Sequence, residues 1–336
     1  MSVPALSVVV IGRNEGPRLE RCLRSIQAME NPGGDVEILY VDSGSTDGSV
    51  ALAASLGARV IPIHPTRPTA ALGRNAGWKL AQAPIVLFLD GDTILHPAFV
   101  AQSLPEFRDP EVAIVWGHRR EICARDSVYN RVLDLDWISP PGITEFCGGD
   151  ALIRRDVLTR TGGYDENLIA GEEPEMCRRI RALGYKILHV DRPMTGHDLA
   201  MKSWKQYWKR ASRTGYAYAE VSERFRSTAL PFWEKEAHAN RVRAVALLAI
   251  LLGGVALSAL LFSFWPLAAA LAFLLLLVLR TAAKVGWKSK DPVTRFLYGA
   301  HSHVQQIPIF WGQLQYSKDR RAGAKRGLIE YKDTAS

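Results

Sequence analysis

Residues 85–92 read Ile85-Val86-Leu87-Phe88-Leu89-Asp90-Gly91-Asp92. A continuous apolar run of this length predicts a short strand buried on both faces. The carboxylate, glycine and carboxylate that follow then sit at its carboxyl end. Three runs of the same kind precede it: Leu6–Ile11, Val36–Val41 and Arg59–Ile63. Between them, Leu19–Ala28, Ser49–Leu56 and Ala70–Ala81 are amphipathic at helical spacing. The alternation is a βαβαβ series. It predicts an α/β domain built on a mostly parallel, doubly wound, Rossmann-like sheet. Ligands of such sheets bind beyond the carboxyl ends of the strands. The polar clusters fall at those ends: Gly12-Arg13-Asn14-Glu15, then Asp42-Ser43-Gly44-Ser45-Thr46-Asp47, then Asp90-Gly91-Asp92.

The chain has 336 residues, 48% hydrophobic and 23% charged. This is long enough for one large domain or two smaller ones and excludes a disordered chain. Cys22, Cys123, Cys147 and Cys177 lie far apart with no CxxC pattern. That excludes a disulfide scaffold and a zinc ribbon, and points to a reducing compartment. The net charge of +8 favours anionic partners. No nucleic-acid recognition motif accompanies it, so no nucleic acid is expected as a partner. The N-terminus lacks the basic segment and long apolar run of a signal peptide, so the N-terminal part is expected in the cytoplasm.

From Ala244 to Leu279 there are 36 residues without a charge. One helix of that length would measure about 54 Å, against roughly 30 Å of bilayer hydrocarbon. Two short spans of about 16–18 residues fit better, with the turn at Ser263-Phe264-Trp265-Pro266. Arg241 and Arg243 precede the run, and Arg280, Lys284, Lys288 and Lys290 follow it. The charge pattern places both ends in the cytoplasm, with a re-entrant hairpin as the alternative. Lys202–Tyr218 mixes basic and aromatic residues and suits docking on anionic headgroups, with Arg210 and Arg213 available to substrate phosphates. Residues 295–316 are too polar for a span and read as interfacial. The tail, with Lys325 and Arg326, is basic, as a membrane-facing segment should be.

Asp90 and Asp92 can hold a hard divalent cation that bridges phosphate oxygens, or can simply form a turn. Asp42 can bind a base or ribose, while its loop also caps the next helix. Arg74 opens towards the same strand ends, where a guanidinium neutralises a diphosphate. Gly171-Glu172-Glu173-Pro174-Glu175 starts a helix, and its acids and proline suit a helix N-terminus as they stand.

The segments VVVIGRNE, YVDSGSTDGS, ALGRNAGW, VLFLDGDTILHP, GGDALIRRDVLTRTGGYDE and GEEPEMCRR occur in this order. Together, over about residues 4–220, they resemble a family 2 glycosyltransferase with the GT-A fold. The resemblance implies that Asn14, Glu15, Asp42 and Asp47 surround the nucleotide and that Arg74 lies near its phosphates. Asp90-Gly91-Asp92 matches the family's DxD. Asp92 is then the metal ligand, with Asp90 nearer the ribose and the metal shell, and the ion is Mg²⁺ or Mn²⁺. His197 resembles the histidine that completes the ligation. Glu173 stands where the family has the aspartate that serves as base. Its reference pKa would leave it ionised at pH 7. Glu172 is the other contender. Asp150 either bonds a sugar hydroxyl or forms a turn. Gln206-Tyr207-Trp208-Lys209-Arg210 departs from the QxxRW of processive synthases, which argues against a secreting synthase.

The reading that follows is a GT-A catalytic domain over residues 1–235, a membrane hairpin over 244–279, and a basic, partly interfacial cytoplasmic tail over 290–336. The expected protein is an inverting, metal-dependent hexosyltransferase at the bacterial inner membrane, its catalytic domain facing the cytoplasm. It would move sugar from a nucleotide-diphospho-sugar to a polyprenyl-diphosphate-linked glycan in exopolysaccharide or cell-surface glycan synthesis. The alternatives are transfer to polyprenyl phosphate itself and a catalytically silent nucleotide-sugar-binding scaffold.

Overall fold

A computed structural model describes residues 3–229 and 231–324. Within them the chain forms two compact units. The first comprises residues 3–123 and 137–200, the second residues 124–136 and 201–324 without 230. Lys325 and Arg326 of the basic tail lie outside the described residues.

The first unit opens with β1 (Leu6–Gly12), α1 (Pro17–Gln27), β2 (Val36–Asp42), α2 (Ser49–Ser55), β3 (Arg59–Pro62), α3 (Ala70–Trp78) and β4 (Ile85–Asp90). These are the expected strands and helices to within three residues at each end. In β1, β-branched residues fill a strand whose two faces are both covered. In α1, Pro17 sits in the first turn, and Leu19, Cys22, Leu23 and Ile26 make one buried stripe. α3 is capped by the Thr69 hydroxyl, which accepts from the Leu72 amide at 3.2 Å. It lies unusually close to β1, because a Cβ on Gly77 would come within 2.3 Å of Val9 Cγ1. That close approach carries Arg74, between Gly73 and Gly77, to the strand ends.

The unit continues with β5 (Thr93–Leu95), α4 (Phe99–Ser103), β6 (Val112–Glu121), β7 (Gly142–Ile143), β8 (Ala151–Arg154), α6 (Arg155–Thr161), α7 (Glu172–Ala182) and β9 (Lys186–His197), while α5 (Val128–Asp134) belongs to the second unit. Among the described residues one sheet runs β3-β2-β1-β4-β8-β6-β9-β5, with β7 beside β9. The first four strands are mutually parallel, as the βαβ pattern requires. β8 and β5 are antiparallel to their neighbours.

Register then decides which side chains meet. Gly12 lies opposite Asp42, and Ile11 opposite Asp90, so these strand ends share one edge. β8 runs antiparallel from Ala151 opposite Phe88, which brings Asp150 to the carboxyl end of β4. The β5–β9 pairing sets Thr93 opposite His197, next to Asp92, and the β6–β9 pairing sets Glu121 opposite His197.

The second unit contains α5, α8 (Trp204–Phe225), α9 (Glu234–Leu260), α10 (Trp265–Lys284), α11 (Pro292–Val304) and α12 (Gln306–Arg321). The catalytic domain expected over 1–235 is divided here, since α8 groups with the C-terminal helices. The reason is a tight α8–α12 contact. A Cβ on Gly215 would lie 1.8 Å from the Ile309 carbonyl oxygen, and one on Gly312 would lie 1.9 Å from that of Ser212. α9 and α10 are long and apolar enough to cross a membrane, and their apolar side chains are largely exposed. At 27 and 20 residues they outrun the charge-free stretch. Arg241 and Arg243 do not interrupt α9, because arginine is a good helix former. The break between them covers residues 261–264, with Phe262 at φ 47°, and Trp265 and Pro266, expected in the turn, instead open α10, where proline fits the first helical turn.

Candidate active site

At the carboxyl edge of the sheet, Arg74 is the organising cation. It is 2% exposed and meets three carboxylates. Its Nη1 lies 3.0 Å from Glu172 Oε1 and 2.9 Å from Glu173 Oε1, and its Nη2 lies 3.0 Å from Asp90 Oδ1. The sequence reading set Arg74 against a diphosphate. In the structure its guanidinium is engaged by these acids, because α3 is drawn in by its glycines until it reaches the first turn of α7. A buried cation holding buried anions is costly to unmatch. Arg74→Met is expected to lower stability by about 3–5 kcal/mol, the range for stranding a buried charge. Thermal or denaturant unfolding of the two proteins measures it.

Gly149 is the wall of this cluster. A Cβ there would stand 2.5 Å from Arg74 Nη2, 3.1 Å from Asp90 Oδ2 and 3.3 Å from Glu173 Oε1. Gly149→Ala therefore has to displace the guanidinium. Turnover is expected to fall roughly 10²-fold, as misplacement by about 1 Å does. Unchanged turnover would show that the cluster is not used in catalysis.

Glu172 and Glu173 begin α7, after Gly171 in the left-handed region at φ 85°. Glu172 is the more deeply buried; the Glu173 side chain keeps 16% exposure. Burial, then the neighbouring Glu172 charge, push the Glu173 carboxyl up to about 7, against the opposing pull of Arg74. This corrects the expectation of a fully ionised Glu173 at neutral pH. A carboxyl tuned to that range suits general-base work.

Asp150, expected at a sugar hydroxyl or in a turn, is buried and braces the site from within. Its Oδ1 accepts from the Asp90 amide at 3.1 Å and its Oδ2 from the Thr195 hydroxyl at 2.8 Å. Asp42, expected at the base or ribose, is held within its own loop. Its carboxylate accepts from the Tyr40 hydroxyl, the Gly44 and Ser45 amides and the Ser45 hydroxyl, so it shapes its own loop. Asn14, at φ 54°, ties that loop to the first one: its Oδ1 accepts from the Thr46 amide at 2.7 Å, and its own amide donates to Ser45 Oγ at 2.9 Å. Asp47 accepts from the Ser49 amide at 2.9 Å, and Glu15 pairs with Arg18 at 3.0 Å. Arg210 and Arg213 lie on α8, in the other unit.

Asp92 and His197 are brought together, with Nε2 3.4 Å from Asp92 Oδ2 and both side chains 5% exposed. Burial, then the nearby Arg119 charge, lower the His197 pKa and keep the imidazole neutral, as a metal ligand must be. Its Nδ1 lies 3.6 Å from Glu121 Oε2, which sets a carboxylate behind the imidazole at ion-pair range without a hydrogen bond. Among the described residues, no three His, Cys, Asp or Glu side chains are placed to hold a metal ion by themselves. The pair nevertheless fits a Mg²⁺-like or Mn²⁺-like ion, which takes one or two carboxylates and draws its other ligands from phosphates and water.

The sequence reading missed Arg119, Glu121 and Trp137. Arg119 Nη2 lies 3.6 Å from Asp90 Oδ2 and Nη1 lies 3.5 Å from Asp150 Oδ2, with its guanidinium 5.1 Å over the Trp137 ring. Trp137 also meets His197 edge-on at 4.9 Å. The available signal was alternation along His118-Arg119-Arg120-Glu121, which turns Arg119 and Glu121 to one face of β6.

Residues 7–162 match the family described as Glycosyl transferase family 2, and residues 85–283, more than half of the chain, match Glycosyl transferase family group 2. The chain belongs to the family 2 glycosyltransferases. Among the relatives of this glycosyltransferase is "Glycosyltransferase AglE" of Haloferax volcanii, 23% identical over 55% of this chain and 64% of that protein. Another is the "Pre-mycofactocin glycosyltransferase" of Mycobacterium tuberculosis, 25% identical over 57% of this chain and 42% of that protein. A third is the "Beta-monoglucosyldiacylglycerol synthase" of Nostoc sp., 24% identical over 51% of this chain and 40% of that protein. The glycosyltransferase described here thus spans less than two thirds of the length of these relatives. Its fold is similar to that of "Mannosyltransferase PcManGT from Pyrobaculum calidifontis in complex with GDP-Man and Mn2+", with a TM-score of 0.59 and 19% identity over 94% of this chain and 88% of that one. The likeness bears out the α/β, GT-A-like architecture expected from the strand pattern.

Proposed function

We propose that this protein is a membrane-attached, inverting glycosyltransferase that moves a hexosyl group from a nucleotide-diphospho-sugar to a hydroxyl of a lipid-linked glycan. The observation that carries the reading is the acid cluster around Arg74 beside the Asp92–His197 pair, all at the carboxyl edge of the parallel strands. A mannosyltransferase of similar fold holds GDP-Man and Mn²⁺, which supports a nucleotide sugar and a divalent ion as ligands here.

In this account Asn14, Glu15 and Asp47 border the nucleotide through the loops after β1 and β2. Asp92 and His197 would hold a divalent cation, with Asp90 at the edge of its shell, and the ion would supply positive charge against the leaving diphosphate. Arg74 fixes Glu172, Glu173 and Asp90 relative to one another. Asp150 and Arg119 hold the β4 end in place. Glu173, the more accessible of the two glutamates, takes the proton of the acceptor hydroxyl. Glu172 is the anion that keeps Arg74 in position and raises the Glu173 pKa.

The acceptor side rests on α9 and α10, whose apolar surface suits a membrane and hence a lipid-carried substrate such as a polyprenyl-diphosphate-linked glycan. Positive charge at both ends of the hairpin favours a cytoplasmic catalytic unit at a bacterial inner membrane. Arg210 and Arg213 are proposed to meet phosphates of lipid or acceptor, and a role in exopolysaccharide or cell-surface glycan assembly follows from that acceptor class. The test is a donor panel incubated with the purified protein, Mn²⁺ and a lipid extract, with mass spectrometry of the lipids. A hexose-sized mass increase on a glycolipid is expected. Donor consumption with no glycosylated lipid would overturn the acceptor class.

A further inference from the structure

The C-terminal helices α11 and α12 are built inside out for a helix bathed in water. On α11, Val293, Phe296 and Val304 fall on one stripe, and on α12 so do Trp311 and Leu314; all five are 41–55% exposed. The opposite, inward faces hold Thr294, His301, Gln306 and Gln313, which are 3–7% exposed. These inward groups have protein partners. Tyr207 and His301 Nδ1 are 2.8 Å apart, His301 Nε2 lies 3.3 Å from Asp136 Oδ2, and Gln313 Nε2 donates to the Ala237 carbonyl at 3.0 Å. A water-facing amphipathic helix has the reverse distribution.

We propose that α11 and α12 are seated in the lipid bilayer beside the hairpin, with Val293, Phe296, Val304, Trp311 and Leu314 against acyl chains. The proposal deepens the membrane reading above and rests on it. Three observations select a bilayer as the occupant. First, the apolar stripe continues the hairpin surface, because α11 packs directly on α10. A Cβ on Gly299 would lie 2.4 Å from the Val278 carbonyl oxygen, and Thr281 Oγ1 lies 3.1 Å from His303 Nε2. Second, with 13 and 16 residues these helices are about 20 and 24 Å long. That is too short to cross roughly 30 Å of hydrocarbon singly, and it suits helices lying at the interface. Third, α12 ends in Lys318, Arg320 and Arg321, and exposed Trp287 precedes Lys288 and Lys290 at the entry to α11. Tryptophan and clustered basic residues suit anionic headgroups, whereas a second copy of the same basic face would repel.

The test places the photo-crosslinker p-benzoylphenylalanine singly at positions 296, 311 and 276 of the full chain. Each protein is reconstituted in vesicles of phosphatidylcholine and phosphatidylglycerol and irradiated. These positions are exposed, so the fold tolerates the probe. A mass increase of one phospholipid at 296 and 311, matching that at 276 on the hairpin, is the expected result. Lipid adducts at 276 with none at 296 and 311 would overturn the proposal and leave the hairpin standing. Chain-to-chain crosslinks at 296 or 311 would overturn it in favour of a second copy. No lipid adduct at any of the three would overturn the membrane reading along with it.

Discussion

Asp92→Asn is expected to lower kcat for sugar transfer by about 10²–10³-fold, the loss typical of removing one electrostatic contact to a charge that develops in the transition state. The carboxylate faces His197 Nε2 at 3.4 Å, with Glu121 behind the imidazole. Asparagine keeps the shape but gives up the negative charge that a divalent ion needs. The fold should persist, since the residue sits in the turn between β4 and β5 rather than in the apolar core. Turnover measured across a Mn²⁺ titration, with circular dichroism of both proteins, tests this. Wild-type turnover in the variant with no added metal would remove Asp92 from the metal site.

Glu173→Gln is expected to lower kcat by about 10²–10⁴-fold, the usual contribution of a general base, with little change in donor KM. The amide fills the same space beside Arg74 but cannot take a proton. The pH dependence gives a second readout with a definite sign. A base must be deprotonated to act, and burial has raised this carboxyl to about 7. Wild-type kcat should therefore rise with pH through about 7 and level off above it, and the residual rate of the variant should lose that rise. A large increase in donor KM at constant kcat would instead place Glu173 in the donor pocket. Full activity in the variant would favour transfer to polyprenyl phosphate, an acceptor already anionic near neutral pH that needs little help from a base.

The parallel half of the sheet was legible from local pattern alone. β1 to β4 are continuous apolar runs, and α1 to α3 carry helical periodicity or a cap, so short-range chemistry fixes both. Asp90-Gly91-Asp92 and Glu172-Glu173 were legible for the same reason, as polar residues at predictable ends of elements. Arg74's partners were not, because its depth depends on Gly77 letting α3 approach Val9. Arg119, Glu121 and Trp137 were missed because they enter through β6–β9 pairing and through a chain segment that returns after α5, and no local period encodes such register. The pKa of Glu173 was misjudged from its reference value, since desolvation depends on what the fold packs around it. The grouping of α8 with the C-terminal helices was not legible, because it rests on Gly215 and Gly312 letting two helix backbones touch, a long-range contact that composition does not reveal.

The central claim is that the carboxyl edge of the parallel strands binds a nucleotide sugar through Asp92 and His197 and presents it to Glu173. An experimental structure of the full chain with Mn²⁺ and a nucleotide-diphospho-sugar tests it most directly. Metal density touching Asp92 and His197, the diphosphate on that metal, and the sugar on the Glu173 side of the Arg74 cluster are the expected result. Metal and nucleotide bound without contact to Asp92 or His197, or a sugar held away from Glu173, would contradict it.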